Sequence, residues 1–432
     1  MPTARGWAVA GAGLVLLVMG RVFGASALGQ TGFALVVLVA AALVVVRARR
    51  HDISVTRGIA PEKATAGLPV TISLRFANEG RGAAPLVLVQ DHLPVTLSGQ
   101  ARFAVPGIEP GGARETSFTV RPPRRGRYEV GPLDMAFVDP FGLAQITARA
   151  VGTTSFIVHP RVEPLSLPRD LGQQRSLGAS HLRQPTGTSG DDFYTLREYA
   201  EGDDLRKIHW PSTAKRARYM IRQEETAWHT RSTVVLDDRS EAYEGPGGSA
   251  AFERAVEAAA SVAGLYDRSG YSYRLACAHA PGLASGRGRT HLHRCLDLLA
   301  TIEPTATRQG GASDRLLVRL AEIEAAGNAG GTFVLISGAL TPELAVGLSR
   351  IQRVFRQVIA ISFPGFRYGQ TPARSIVEAE KQTGQVTRLL VASGIRPVIL
   401  SPGEPLTAGW SSLSLSRWQG GDRSSTRRSE HV

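Results

Sequence analysis

Two pairs of carboxylates offer the first candidate chemistry. Asp191-Asp192 and Asp203-Asp204 bracket the stretch "DDFYTLREYAEGDDLRKIHW" (191–210), which holds nine formal charges in twenty positions against 20% charged residues overall. Such acids could act as general acid and base on a bond held between them, which makes a hydrolase one reading. No nucleophile or phosphate cradle accompanies them, however. Five rings (Phe193, Tyr194, Tyr199, His209, Trp210) are interleaved with the charges. A solvated run needs no rings, and a core segment tolerates no such charges. The combination suits an ion-paired clasp with a docking face for a protein partner. Arg197 and Arg206 offer planar forks to Glu198, Glu201 or Asp204. Phe193, Leu196, Ile208 and Trp210 are expected to anchor the stretch by burial, and Tyr199 adds area with a polar tip. Gly202 ends one segment, Asp203 caps a short helix with Asp204 at its positive end, and Pro211 stops that helix. Ser212 or Thr213 then caps the next turn.

A second candidate is Asp237-Asp238 in "LDDRSEAY" (236–243), at the end of an apolar strand, where open parallel sheets present their ligand residues. A third, "CAH…HLHRC", gathers Cys277, His279, His291, His293 and Cys295. Its spacing fits no convergent zinc pattern, and His291 and His293 diverge by about 200° on a helix. These five read as core and surface residues, and two cysteines make no disulfide framework. No GxxxxGK[ST] loop, no GxGxxG after the first βα strand and no GxSxG elbow is present. No cofactor is expected.

The elements that must position these residues fall into blocks. Residues 1–50 read as a transmembrane hairpin with helices at about 7–26 and 29–46; Arg21 is the only charge between Arg5 and Arg47. A signal peptide cleaved near Ala25-Ser26-Ala27 is the alternative. Arg47, Arg49 and Arg50 place the following chain on the cytoplasmic side of the membrane. Residues 51–165 alternate apolar and polar in short runs, as in "PVTISLRF" (69–76), and predict an all-β, immunoglobulin-like sandwich. "DPFG" (139–142) is a turn with Pro140 at its second position and Gly142 free to take positive φ. Residues 166–230 form a connector containing the charged stretch. Residues 231–420 alternate strands with helices and predict a mainly parallel α/β sheet. One helix, near 251–270, places Phe252, Val256, Ala259, Val262 and Tyr266 on one face. The tail 421–432 reads as disordered.

The net charge of +13 hints at nucleic acid, but 46 of the 50 basic residues are Arg and they form no known reading motif. No nucleic-acid partner is expected.

The α/β block resembles von Willebrand A-type domains, which hold magnesium with Asp-x-Ser-x-Ser and a later Thr and Asp. Counting from Asp237, the hydroxyl positions hold Arg239 and Glu241, and Ser337-Gly338 stand where the second Asp is expected. The site around Asp237 and Asp238 is therefore read as degenerate, with no bound metal. A metal-dependent ligand-binding module is the alternative. The longer stretch resembles the signature of the bacterial domain-of-unknown-function 58 family, through Phe193, Leu196, Arg197, Glu198, Tyr199, Gly202, Asp203, Asp204, Arg206, Ile208, Trp210 and Ala214. "RRGRYEVGPLDMAFVDPFGL" (124–143) is similar to the segment preceding that signature. The resemblance implies a membrane-anchored, non-enzymatic adaptor or assembly factor, with a MoxR-type AAA+ ATPase as partner.

Overall fold

The computed structural model of the chain describes residues 1–48, 52–167 (save 85, 98 and 100), 194–199, 208–224 (save 217), 231–243, 250–306, 315–327, 331–368 and 373–415. The predicted tail 421–432 lies outside them. Contacts divide the chain into two compact units, one Met1–Arg161 with Leu296–Thr301, the other Val162–Cys295 with Ile302–Val432.

The first unit begins with a helical hairpin, α1 (Ala4–Val22) and α2 (Ser26–Ala48). Both are long and apolar enough to cross a membrane. Thr3 caps α1, its Oγ1 accepting from Gly6 N–H at 3.1 Å. The α1 end falls four residues before the expected 26 because Gly24, at φ +65°, turns the chain. Gly6, Gly13 and Gly20 are the buried residues of α1. An ideal Cβ would lie 3.0 Å from Gly32 O at Gly13 and 2.5 Å from Gly29 N at Gly20. The helices thus meet backbone to backbone, as small residues permit. Their outer side chains, Leu14, Val15, Val18, Phe33 and Val44 among them, are exposed.

Ten strands follow: β1 (Ile53–Ala60), β2 (Lys63–Thr65), β3 (Val70–Asn78), β4 (Val87–Asp91), β5 (Arg102–Val105), β6 (Ala113–Val120), β7 (Gly126–Val130), β8 (Leu133–Val138), β9 (Gln145–Val151) and β10 (Thr154–His159). They make sheets of order β1-β3-β6, β2-β10-β7 and β5-β4-β8-β9, antiparallel except for the β2–β10 pair. The period of two in β3 places Val70, Ile72, Leu74 and Phe76 on one face, each at most 1% exposed. Val70 and Ile72 share a core with Tyr128, Phe156 and Val158, while Leu74 and Phe76 share one with Val87, Met135 and Phe137. β3 therefore bridges both neighbouring sheets.

In the second unit, β11 (Tyr194–Glu198) pairs antiparallel with β12 (Met220–Glu224), and α3 (Trp210–Arg216) lies between them in sequence. The main sheet has the order β15-β14-β13-β16-β17-β18, formed by β13 (Arg231–Leu236), β14 (Ser272–Cys277), β15 (Leu283–Gly286), β16 (Thr332–Ser337), β17 (Gln357–Ser362) and β18 (Arg396–Ile399). All its neighbours are parallel except β14–β15. The helices are α4 (Ala250–Arg268), α5 (Arg289–Thr301, of which Leu296–Thr301 belong to the first unit), α6 (Arg315–Ala325), α7 (Pro342–Val354), α8 (Ala373–Ala392) and α9 (Leu406–Leu415). Phe252, Val256, Ala259, Val262 and Tyr266 of α4 are fully buried, as their spacing requires. Val235, Leu335 and Ala360 share a core with Leu320, Leu344, Leu348 and Leu390 from α6, α7 and α8.

The chain joins this unit slightly earlier than expected, at Val162. Glu163 accepts from Leu406 N–H at 2.7 Å and pairs with Arg254 at 2.9 Å, and Trp410 Nε1 donates to Ser166 O at 2.8 Å.

Candidate functional site

The described part of the charged stretch is strand β11 with the start of α3, and β11 pairs with β12 further along the chain. Asp191, Asp192, Phe193, Glu201, Gly202, Asp203, Asp204, Leu205 and Arg206 lie outside the described residues. Leu196 and Arg197 are in β11, paired in register with Arg222 and Ile221. Exposed Glu198 pairs with exposed Arg218 at 2.9 Å, a partner the sequence reading did not name. Tyr199 meets Tyr219 edge to face, centroids 6.4 Å apart.

Trp210 corrects the sequence expectation: it is 65% exposed, whereas Ile208 is 9% exposed. Pro211 does not stop a helix there; it sits in the first turn of α3. That position suits proline, since its missing N–H would be unpaired anyway and its φ is already helical. The helix opens on His209, whose carbonyl accepts from Thr213 N–H at 3.0 Å. The His209 ring stands 2.8 Å from Ser212 Oγ. Thr213 Oγ1 then accepts from Met220 N–H at 3.0 Å, so α3 is stitched to the start of β12.

The second candidate lies where β13 and β16 end side by side. Asp237 and Asp238 are both fully buried. Arg239 grips Asp237 in a bidentate pair, Nε to Oδ1 and Nη2 to Oδ2, each at 2.8 Å. Ser337 Oγ, at the end of β16, also donates to Asp237 Oδ2 at 2.7 Å. Asp238 is held differently: its two oxygens accept the N–H groups of His279 and Ala280, each at 2.8 Å. Tyr243 donates to the Asp237 carbonyl at 2.7 Å. Burial, with both carboxylates beside it, pushes the Tyr243 hydroxyl's pKa well up and keeps that proton in place.

Gly338 explains what fills the space at the β16 end. Its ideal Cβ would lie 2.0 Å from Ala242 O, and Ala339 N–H donates to that same carbonyl at 2.7 Å. The Ser240–Tyr243 turn is pressed against the sheet end. A guanidinium and a backbone turn thus occupy the crevice. A fixed cation bonded to both oxygens of Asp237 competes with any mobile one for the same lone pairs.

The cysteine–histidine set does not converge. Cys277 and Cys295 are buried thiols. His291 Nε2 lies 2.9 Å from Tyr273 O and 3.7 Å from Cys295 Sγ, one helical turn along α5. Burial lowers the His291 pKa and pushes Cys295 up to about 12. Among the described residues no group of three or more His, Cys, Asp or Glu is placed to hold a metal. A cavity of about 250 Å³ is lined by Arg274, Leu283, Arg319 and Glu322, and Glu322 already pairs with Arg319 at 2.8 Å.

Residues 195–389 match the family described as Protein of unknown function DUF58. The match runs from the second residue of β11 through most of α8, so the matched segment takes in nearly all of the β11–β12 pair, α3 and the Asp237–Arg239 pair. It supports the resemblance drawn from the charged stretch. No curated protein matches. Solved structures with some likeness include the CARDB domain of the PF1109 protein in complex with di-metal ions from Pyrococcus furiosus, 14% identical, covering 26% of this chain and 88% of that one, TM-score 0.19. Another is the complex of zinc 2-glycoprotein and prolactin inducible protein from human seminal plasma, 12% identical, covering 25% and 94%, TM-score 0.19. Likenesses at that score carry no argument about fold or function. The architecture outside the DUF58 segment rests on its own strand order.

Proposed function

We propose that this chain is a non-enzymatic scaffold of the bacterial plasma membrane, anchored by α1 and α2, with the bulk of the protein in the cytoplasm. Its α/β unit is a von Willebrand A-like module that engages protein partners. The partner proposed is a MoxR-type AAA+ ATPase, acting with the scaffold in assembly or maturation of other proteins. One observation carries the reading. At the sheet end where such folds recruit a ligand, Asp237 is paired with the chain's own Arg239, and both oxygens of Asp238 accept backbone N–H groups. Among the described residues, the β11–β12 pair offers a surface for function, the exposed ion pair Glu198–Arg218. The outward-facing apolar side chains of α1 and α2 support the membrane anchor, because water would not tolerate them in a row.

The test uses full-length protein in lipid nanodiscs, titrated with a purified MoxR-type ATPase of the same organism, reading binding and ATP turnover. Glu198→Arg and Arg218→Glu should each weaken binding at unchanged melting temperature, because an exposed ion pair contributes only about 0–1 kcal/mol to folding. Absence of binding by the unaltered protein would remove the proposed partner. Ester, phosphoester or peptide turnover abolished by Asp203→Asn or Asp204→Asn would replace the scaffold with a hydrolase.

A further inference from the structure

The turn at 139–142 occupies an unusual place in the first unit. Its downstream residues, Leu143 and Ala144, are buried in a cluster with Val39, Ala42 and Val46 of α2, and Val9 and Ala10 of α1 pack against it. All five helix residues belong to the two apolar segments. The turn is also bonded to the start of α1. Thr3 N–H donates to Leu143 O at 2.9 Å, Thr3 Oγ1 donates to Gly142 O at 2.6 Å, and Gln145 N–H donates to Met1 O at 2.9 Å. Gly6 is required at the contact, since its ideal Cβ would lie 2.0 Å from Leu143 O. The turn therefore cannot sit at a different depth from the helix ends.

Its chemistry suits that depth. Between Asp139 and Arg149 the chain has no charged residue. The Asp139 carboxylate is buried and turned inward, accepting the N–H groups of Phe141 (2.8 Å) and Ala144. Gly142, at φ +68°, closes the turn. This leaves Phe141 projecting, 67% exposed, with Ile146 also exposed on the same uncharged run. Trp7 is exposed on the first turn of α1, and Arg5 and Arg47 are exposed near the same helix ends. Aromatic rings flanked by arginines are what the interfacial layer of a bilayer accepts.

We infer that the Asp139–Gly142 turn inserts Phe141 into the interfacial layer of the lipid bilayer, so that the β-unit rests on the membrane instead of swinging free of it. This rests on the reading of α1 and α2 as membrane spans. That reading fixes the depth: Leu143 shares a buried cluster with Val39, Ala42 and Val46 on the C-terminal part of α2, the end that Arg47 marks.

The experiment labels single introduced cysteines with an environment-sensitive NBD dye in full-length protein, reconstituted in phosphatidylcholine–phosphatidylglycerol vesicles. Buried Cys277 and Cys295 remain unlabelled in the folded protein. Labels sit at Phe141→Cys, at Ile146→Cys as a second reporter of the turn, at Trp7→Cys on α1 and at Val95→Cys. Val95 lies beyond the β4 end that pairs with Leu133, so it is about 20 Å from the turn along β8. Doxyl groups near the head of the lipid acyl chains should quench the labels at 141, 146 and 7 at least twofold more than the label at 95, and emission at 141 should shift to the blue. Quenching at 7 without quenching at 141 and 146 overturns the insertion and leaves the spans intact. No quenching at 7 overturns the membrane reading and the insertion with it.

Discussion

The guanidinium of Arg239 lies flat against the carboxylate of Asp237, two residues back along the chain, with both nitrogen–oxygen contacts at 2.8 Å. One partner is fully buried and the other nearly so, at 14% side-chain exposure. Removing one member of such a pair leaves an uncompensated charge in a dry site. Arg239→Ala should cost about 3–5 kcal/mol of stability, read by urea unfolding. Replacing both members, as Asp237→Leu with Arg239→Met, should restore much of that loss. A neutral Arg239→Ala would show that the pair is not buried in solution.

The same pair governs the response to divalent ions. Millimolar magnesium or manganese should leave the melting temperature of the unaltered protein unchanged, and calorimetric titration should show only heat of dilution. Arg239→Ser takes the guanidinium off both oxygens of Asp237, leaving the Ser337 hydroxyl beside them, and should gain a magnesium-dependent rise in melting temperature. A stoichiometric ion on the unaltered protein, lost in Asp237→Ala, would restore the metal-dependent module.

Gly338 should resist even one added carbon. Gly338→Ala drives a methyl group into Ala242 O and should destabilise by about 1–3 kcal/mol, as overpacking does. Circular dichroism melts check this directly.

In the charged stretch, stability should follow burial. Ile208→Ala should lower stability by about 2–5 kcal/mol, whereas Trp210→Ala should change it by no more than about 0.5 kcal/mol. Equal losses at both positions would mean that Trp210 is covered in the working protein.

Burial pushes the Cys295 thiol up to about 12, and burial beside Asp238 raises Cys277 further. At pH 8 a maleimide should label neither until the protein unfolds. The sign of the pH dependence follows. An unfolded thiol ionises near about 8.5, so between that value and the folded one the unfolded chain binds fewer protons. The thiols' contribution to stability is whole below that window and falls as pH rises through it. Cys295→Ser should flatten the alkaline limb of a stability–pH curve.

Strand β3, helix α4 and the main parallel strands were legible because their apolar spacing is dictated by burial on one face or two. The β11–β12 pairing was not, since its strands lie more than twenty residues apart and each is only five residues long, with charged and apolar residues mixed. Trp210 misled because size suggests burial, while the position of a proline within a helix turn decides which side of it the helix occupies. At the β13 end, the adjacency of Arg239 to Asp237 was legible, and the structure pairs the guanidinium with both carboxylate oxygens. The Ser337 bond to Asp237 and the Ala242 carbonyl over Gly338 depend on tertiary approach. The role of Asp238 depends on N–H groups more than forty residues away.

Gly6, Gly13 and Gly20 recur every seven residues along α1. Seven residues overshoot or fall short of two full turns by only about 20°, so the three keep to one side of the helix. They act as the marks of a ruler. Exchanging one apolar residue for another at the exposed positions between the marks, such as Leu14, Val15 and Val18, changes little. Inserting or deleting a single residue between Gly13 and Gly20 would rotate one mark by about 100° relative to the other. Descendants of this sequence are thus free to drift in the letters of α1 and bound to keep its count.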